Sequence, residues 1–367
     1  MNREIVDKTG ATYMLMMMLL AKVFTSNPRM LALKAGTSSW LVTLLAAMVA
    51  WPGFLALSAL LRRFPQKSLG QISKEVLGPV AGVLACLIYC GYFVYLSGLF
   101  MRQFEASFRI AILPRTPASA LLISFAIAVS YVCYRGVEAI CRISSYLFPI
   151  LFGLIVLVAL GTVRLADFRY LLPFFGEGVA TTFLLPFPES SVYSEVLALG
   201  ALAGMLRVSE LHRIGARALW WSALVMAGGI ALMGGVFPYP ALARLHFPML
   251  DLARAIQAGE FLQRVEALFV VLWFFFGSLK VSAALACAAL FFRDAAGLAD
   301  YRPLVFALTL IAYTIAFLPD NTLAVMLLDS YSLRTWTWPI SYVMPALTLA
   351  AALWRARREV PMHAASG

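Results

Sequence analysis

The chain has 367 residues, of which 62% are hydrophobic and 13% charged, and a formal net charge of +11. Soluble globular chains are roughly a quarter charged, so this composition excludes a soluble protein and predicts an all-α integral membrane protein. The apolar stretches are continuous and of helical length, which excludes the alternating pattern of a transmembrane barrel. The basic residues lie in short loops between apolar segments, where membrane orientation explains them better than nucleic-acid binding does.

Ten membrane-spanning helices are predicted along the chain, within one polytopic domain over residues 1–367. Their approximate limits are 11–34, 38–62, 79–107, 117–134, 143–163, 178–204, 215–238, 259–292, 302–318 and 337–355. The stretch 319–336 carries Asp320, Asp329 and Arg334. These charges make it a poor span, and we expect a loop with a short interfacial helix there.

The first and sixth predicted spans are interrupted by proline at matching places in the two halves. Pro28 interrupts the first span, and Pro186 and Pro188 interrupt the sixth. Ten spans with these two breaks predict two five-helix repeats, at about 11–163 and 178–355, in inverted orientation. In such folds the binding site lies near the midplane of the membrane, between the two broken helices.

Short polar side chains at the first break are candidates for ligand binding. Thr25, Ser26 and Asn27 precede Pro28, which has no N–H to continue the helical ladder. The N–H groups at the start of a half-helix favour an anionic group such as a carboxylate. The alternative is a simple proline kink whose backbone groups are satisfied by the serine and threonine hydroxyls.

The sixth span supplies the other half of the candidate site, through Phe187, Glu189 and Ser190. An acidic residue at membrane depth is costly and marks a functional site by default. Glu189 could bind a ligand amine, carry a proton or pair with a cation. Otherwise it only caps a half-helix beside a water-filled vestibule. Glu195 could lie equally deep, but nothing in the sequence favours it over Glu189.

Lys280 lies in the middle of the eighth predicted span, with more than ten apolar residues on either side. A lysine this far from an interface needs a partner, because it cannot reach water by snorkelling. We expect it to serve as a fixed or protonatable cation that replaces a coupling sodium or pairs with Glu189. The sequence contains no arrangement that indicates a catalytic site, a cofactor or a metal site, so an enzyme is not expected.

The loops predict that both termini are cytoplasmic. Sixteen Lys and Arg residues fall in one set of alternate loops and eight in the other, a group that includes Lys34 and Arg334. The positive-inside rule places the richer set on the cytoplasmic side.

With these residues in view, the chain resembles the endospore germination permeases, the B-type subunits of germinant receptors. They belong to the amino acid–polyamine–organocation transporter superfamily. The similarity extends over nearly the whole chain and is carried by six short pieces in order, at residues 61–65, 112–117, 134–142, 237–240, 261–267 and 300–304.

The resemblance implies ten spans in inverted repeats and recognition of a small germinant, typically an amino acid, between the first and sixth helices. The lining residues would be Thr25, Ser26, Asn27, Phe187, Glu189 and Ser190, with Lys280 facing them. It also implies two receptor partners, an A-type membrane subunit and a C-type lipoprotein, besides the lipid of the spore inner membrane. Two other functions stay open, a proton-coupled transporter of amino acids or amines and a scaffold that binds no ligand.

Overall fold

The computed structural model of the chain describes residues 6–255 and 265–364, and within these ranges the regular structure is helical. The first half contains α1 (Lys8–Leu20), α2 (Asn27–Ala35), α3 (Ser39–Arg63), α4 (Leu69–Leu77), α5 (Pro79–Ala111), α6 (Ala118–Tyr134) and α7 (Val137–Thr162). The second half contains α8 (Val179–Leu184), α9 (Pro186–Glu189), α10 (Ala198–Leu202), α11 (Val208–Val236), α12 (Tyr239–Leu242), α13 (Pro248–Arg254), α14 (Val265–Ala296), α15 (Leu304–Ala316), α16 (Thr322–Leu327), α17 (Arg334–Trp338) and α18 (Met344–Ala364).

Most of the predicted spans coincide with single helices. The second to fifth correspond to α3, α5, α6 and α7, and the seventh to ninth to α11, α14 and α15. The predicted start of the eighth span, 259–264, lies outside the described residues. Within the part described, five helical stretches are long and apolar enough to cross a membrane, and α6 and α15 are shorter apolar helices. The inverted relation of the two halves stays a prediction.

The centre of the molecule is α14, which packs lengthwise against α5. Small residues allow the close approach, because Ala283, Ala284 and Ala288 of α14 are at most 1% exposed. Gly277 of the same helix lies against the Phe104 ring, where an added Cβ would be 2.8 Å from a ring carbon. Small side chains at helix interfaces let backbones approach, which is the main source of packing energy in lipid. The packing keeps Lys280 away from lipid.

The stretch 319–336 is not a loop with an interfacial helix, so that prediction is wrong. The chain is helical from Thr322 to Ala364, through α16, α17 and α18 and two intervening π-helical turns, Leu328–Leu333 and Pro339–Val343. Several of its polar side chains share one buried stripe, and several large apolar side chains are exposed, although Met326, Leu333 and Tyr342 are buried. The buried stripe consists of Ser330, Arg334, Thr337 and Ser341, and the exposed apolar residues include Leu323, Tyr331 and Trp336. The charges are tolerated because they point into the protein rather than into lipid.

Candidate functional site

The predicted break in the first span is confirmed. After α1 the chain tightens into a 3-10 helix, Ala21–Phe24, and Thr25 is extended, with φ −96° and ψ −167°. The Lys22 carbonyl oxygen accepts both the backbone N–H of Thr25, at 3.2 Å, and the Thr25 hydroxyl, at 2.8 Å, and these two bonds close the 3-10 turn at the break. Pro28 falls in the first turn of α2, where no N–H is required. Thr25, Ser26 and Asn27 are each only 2% exposed.

The sixth span does not open into two half-helices, in contrast to the prediction. Leu185 and Ser190, on either side of α9, keep helical dihedral angles, and Ser190–Leu197 continues as a 3-10 helix of eight residues. The prolines are compatible with a continuous helix because the fixed φ of proline is close to the helical value. The hydroxyls of Ser190 and Ser191 donate to the carbonyls of Phe187 and Pro188, at 2.7 and 2.6 Å, and so supply hydrogen bonds within this turn. The sixth span therefore changes to the tighter 3-10 form after the prolines, and it does not separate into two half-helices. A 3-10 run this long is uncommon and marks strain or a hinge.

Glu189 lies in a buried ionic cluster that joins three parts of the chain. Its Oε1 is 3.0 Å from the Lys34 ammonium, and its other oxygen contacts the Arg334 guanidinium. Arg334 also donates to the Asn27 side-chain carbonyl, and Lys34 donates to the Ser330 carbonyl at 3.0 Å. Glu189, Lys34, Arg334 and Asn27 are called the Glu189 cluster below. The Glu189 cluster connects the first break to the sixth span through Arg334 of α17.

A second buried cluster surrounds Glu195, which is fully buried. Lys280 Nζ lies 2.7 and 2.9 Å from its two carboxylate oxygens, and Lys22 Nζ lies 2.9 Å from one of them. Lys280 also donates to the Met18 carbonyl at 2.8 Å, and Lys22 donates to the Val192 carbonyl. Glu195, Lys22 and Lys280 are called the Glu195 cluster. It ties α1 and its 3-10 extension to α14 and the sixth span.

The predicted pairing of Lys280 with Glu189 is therefore wrong. Six residues of 3-10 helix, at a rise of about 2.0 Å each, separate the two glutamates by about 12 Å along the axis. Lys280 pairs with Glu195 and also donates to the Met18 carbonyl, so Glu195 lies at the level of Met18. Glu189 instead pairs with Lys34 of α2 and Arg334 of α17.

Five of the six predicted ligand-binding residues are buried, namely Thr25, Ser26, Asn27, Glu189 and Ser190. Of these, Asn27 and Glu189 are joined through Arg334. Ser190 also accepts a hydrogen bond from the Tyr342 hydroxyl at its carbonyl oxygen, at 2.8 Å. Phe187 is different, because its side chain is 59% exposed. The structure does not bring Phe187 into either cluster.

Sequence reasoning missed Lys22, Lys34 and Arg334 as members of these clusters, and Asp329, which lies 4.0 Å from Arg334. The sequence predicts loops for Lys34, Asp329 and Arg334, and it does not favour Glu195 over Glu189. The polar stripe at 330, 334, 337 and 341 has the spacing of one helix face and could have identified the buried helix. Four cations (Lys22, Lys34, Lys280, Arg334) and three acids (Glu189, Glu195, Asp329) meet in this region, so four minus three leaves one net positive charge. One added anionic group would balance it.

Over residues 6–255 and 265–364, no three His, Cys, Asp or Glu side chains come together as ligands. All five cysteines are buried thiols.

The chain is similar to several spore germination proteins of Bacillus subtilis (strain 168). It is 24% identical to spore germination protein KB over 264 residues, with 68% of each chain covered. It is 24% identical to spore germination protein A2, with 67% of this chain and 68% of the relative covered. The match to spore germination protein YndE is 22% identical but covers 93% of this chain and 94% of the relative.

The fold is shared with solved transporter structures. One is the nucleobase-cation-symport-1 family transporter MHP1, in a closed conformation with bromovinylhydantoin bound, with a TM-score of 0.63 at 11% identity, covering 88% of this chain and 75% of that one. The other is a Na⁺-coupled sialic acid symporter in a substrate-bound outward-open state, with a TM-score of 0.65 at 12% identity, covering 94% of this chain and 79% of that one. At these identities the similarity establishes the fold alone. The family model described as spore germination protein, the spore permease family, matches residues 6–325, and the chain belongs to that family.

Proposed function

We propose that this protein is the germinant-sensing, permease-like subunit of a spore germination receptor. Its ligand would be a small amino-acid-like molecule bound between the first and sixth spans. The observation that carries the proposal is the Glu189 cluster, in which Glu189 is paired with Lys34 and Arg334 beside the break at Thr25. The proposal is supported by the helices long enough to cross a membrane, by membership of the spore germination family and by the fold shared with transporters.

A zwitterionic ligand suits this cluster because it can replace both sides of a buried ion pair. Breaking such a pair by removing one partner costs about 3–5 kcal/mol, since a charge is left uncompensated. A ligand ammonium would take the place of a cation at Glu189, while a ligand carboxylate would bind the released Lys34 or Arg334. The hydroxyls of Thr25 and Ser26 and the Asn27 amide would supply short hydrogen bonds at the break.

Ligand binding would then shift the equilibrium between two packings of the helices. Glu189 and Glu195 lie on the same segment, so a shift at the first cluster also displaces the acid that holds Lys22 and Lys280. The subunits to which this change would be transmitted are an A-type membrane subunit and a C-type lipoprotein, and both are proposed from the family resemblance. The location proposed with them is the spore inner membrane.

Ligand screening by thermal shift tests this function. Purified wild type is heated with each of the common amino acids, beside Glu189→Gln and the control Glu138→Gln, whose carboxylate forms an exposed pair with Arg142. We expect at least one amino acid to raise the melting temperature of the wild type and the control but not of Glu189→Gln. An equal shift in all three proteins would contradict binding at Glu189, and a pure scaffold would show no shift at all.

The second candidate is a proton-coupled transporter of amino acids or amines. The Glu195 cluster favours it, because three ionisable groups packed in the membrane region can take up and release a proton. Uptake of labelled amino acids into proteoliposomes under a proton gradient separates the two. Accumulation against the gradient of the amino acid, lost in Lys280→Met, would favour the transporter, and binding without accumulation would favour the sensor.

A further inference from the structure

A cleft of about 420 Å³ opens between the first turns of α1 and the first half of α11, away from both buried clusters. Lys8 and Thr12 line it from α1, and Arg213 and Arg217 line it from α11. The two arginines are four residues apart and therefore lie on one helix face, one above the other. Neither the ligand site nor the helix packing accounts for this concentration of basic side chains.

The cleft carries excess positive charge. Lys8, Arg213 and Arg217 are exposed, and Glu210 is the acid that lines the cleft with them. Three cations minus one acid leave a charge of +2. Nearby, the Asp7 carboxylate caps α1, accepting from the backbone N–H groups of Thr9 and Gly10 at 3.0 and 3.3 Å. Among the described residues, none of the three cations forms an ion pair.

Polarity changes along the cleft in the order that a phospholipid requires. Lys8 lies in the first turn of α1 and Arg213 and Arg217 in the first three turns of α11, whereas Met16 and Trp221 lie further along these helices. Arg213 and Trp221 are eight residues apart, which is about 12 Å of helix at 1.5 Å per residue. Trp221 is 56% exposed, in the manner of tryptophans at a membrane interface. The cleft thus leads from a charged end at Lys8 and Arg213 to an apolar end at Trp221.

We propose that this cleft is a binding site for an anionic phospholipid. The phosphate would bind Arg213, Arg217 and Lys8, and the start of an acyl chain would lie over Met16 and Trp221. Basic pockets between membrane helices bind anionic headgroups in this way, and arginine is suited to phosphate by its bidentate geometry. The site is independent of the ligand site, and its test does not require the germinant.

The experiment measures the melting temperature of the full-length protein in neutral detergent during titration with phosphatidylglycerol. Phosphatidylcholine serves as the zwitterionic control and inorganic phosphate as the headgroup anion alone. The pocket variant is Arg213→Gln with Arg217→Gln. The matched control, Arg62→Gln with Arg63→Gln, removes the same charge from exposed positions at the end of α3.

We expect phosphatidylglycerol to raise the melting temperature of wild type and of the Arg62/Arg63 variant by several degrees. The rise should be lost in the Arg213/Arg217 variant and restored when both positions are lysine. Phosphatidylcholine should give no comparable rise. An equal rise in both double glutamine variants would overturn the site, and a full effect from inorganic phosphate alone would show an anion site rather than a lipid site.

Discussion

The Glu195 carboxylate is fully buried and pairs with two ammonium groups. Lys22 and Lys280 both bind it, and each also donates to a backbone carbonyl. Glu189 also pairs with two cations, Lys34 of α2 and Arg334 of α17. The two acids differ in which helices they hold together, although both sit on the same narrowed segment. Glu195 joins α1 to α14, whereas Glu189 joins α2 to the last helix.

Replacing Glu195 by Gln should destabilise the protein more than replacing Lys280 by Met. The first change leaves two buried cations without a counter-charge, while the second leaves the Lys22–Glu195 pair in place. Removal of one partner of a buried pair costs about 3–5 kcal/mol. Thermal unfolding in detergent, followed by circular dichroism, measures the order. Melting of Glu195→Gln at or above the temperature of Lys280→Met would contradict it.

At the scale of elements, turns and narrowed helices decide how the charged residues meet. α2 and α3 are joined through Gly36, whose φ of +59° and ψ of −133° other residues rarely adopt. This turn leaves Lys34 at the end of α2, where it reaches Glu189. The sixth span brings Glu189 and Glu195 to different depths through its 3-10 portion.

Gly36→Ala should lower stability by about 1–3 kcal/mol, the cost of a strained backbone conformation. The added Cβ would also lie 3.3 Å from a Glu177 carboxylate oxygen. Gly91→Ala is the control, because its new Cβ in α5 would have nothing within 4 Å. Alanine favours a helix over glycine by about 0.8–1.0 kcal/mol, so the control should melt at or above the wild type. Equal melting temperatures for the two variants would show that the turn at Gly36 carries no strain.

For the whole molecule, the charge bias of the loops is the basis for orientation. Lys34 and Arg334 form buried ion pairs, so they do not belong in that comparison. The same criterion removes Arg293 from the richer set, because its side chain is 17% exposed and pairs with the buried Asp294. The poorer set then falls from eight to six and the richer set from sixteen to fifteen. The correction strengthens the prediction of cytoplasmic termini.

Cysteine labelling in intact cells tests this orientation. Lys67→Cys and Arg169→Cys place a thiol on the two predicted faces, at side chains that are 44% and 86% exposed. The five native cysteines are buried and should not react. We expect a membrane-impermeant maleimide to label position 169 in intact cells and position 67 only after permeabilisation. The reverse pattern would place the termini outside.

The sequence by itself determined that the chain crosses the membrane as helices, where most of them lie, and that the first one breaks near Thr25. These features depend on local physics, because apolar length and a proline after short polar residues act within one segment. The sequence also indicated the family, since six short sequence pieces in a fixed order can be recognised without knowing how the helices pack.

Only the tertiary structure decided which charges are partners. A charge near the middle of a helix signals the need for a counter-charge, but its identity depends on how distant helices are packed and rotated. Lys280 therefore meets Glu195 rather than Glu189, and Arg334 reaches Asn27, which is 307 residues away in sequence. The prediction of a loop at 319–336 is wrong for the same reason, because the polar stripe of this helical stretch is stable in the membrane only when neighbouring helices bury it.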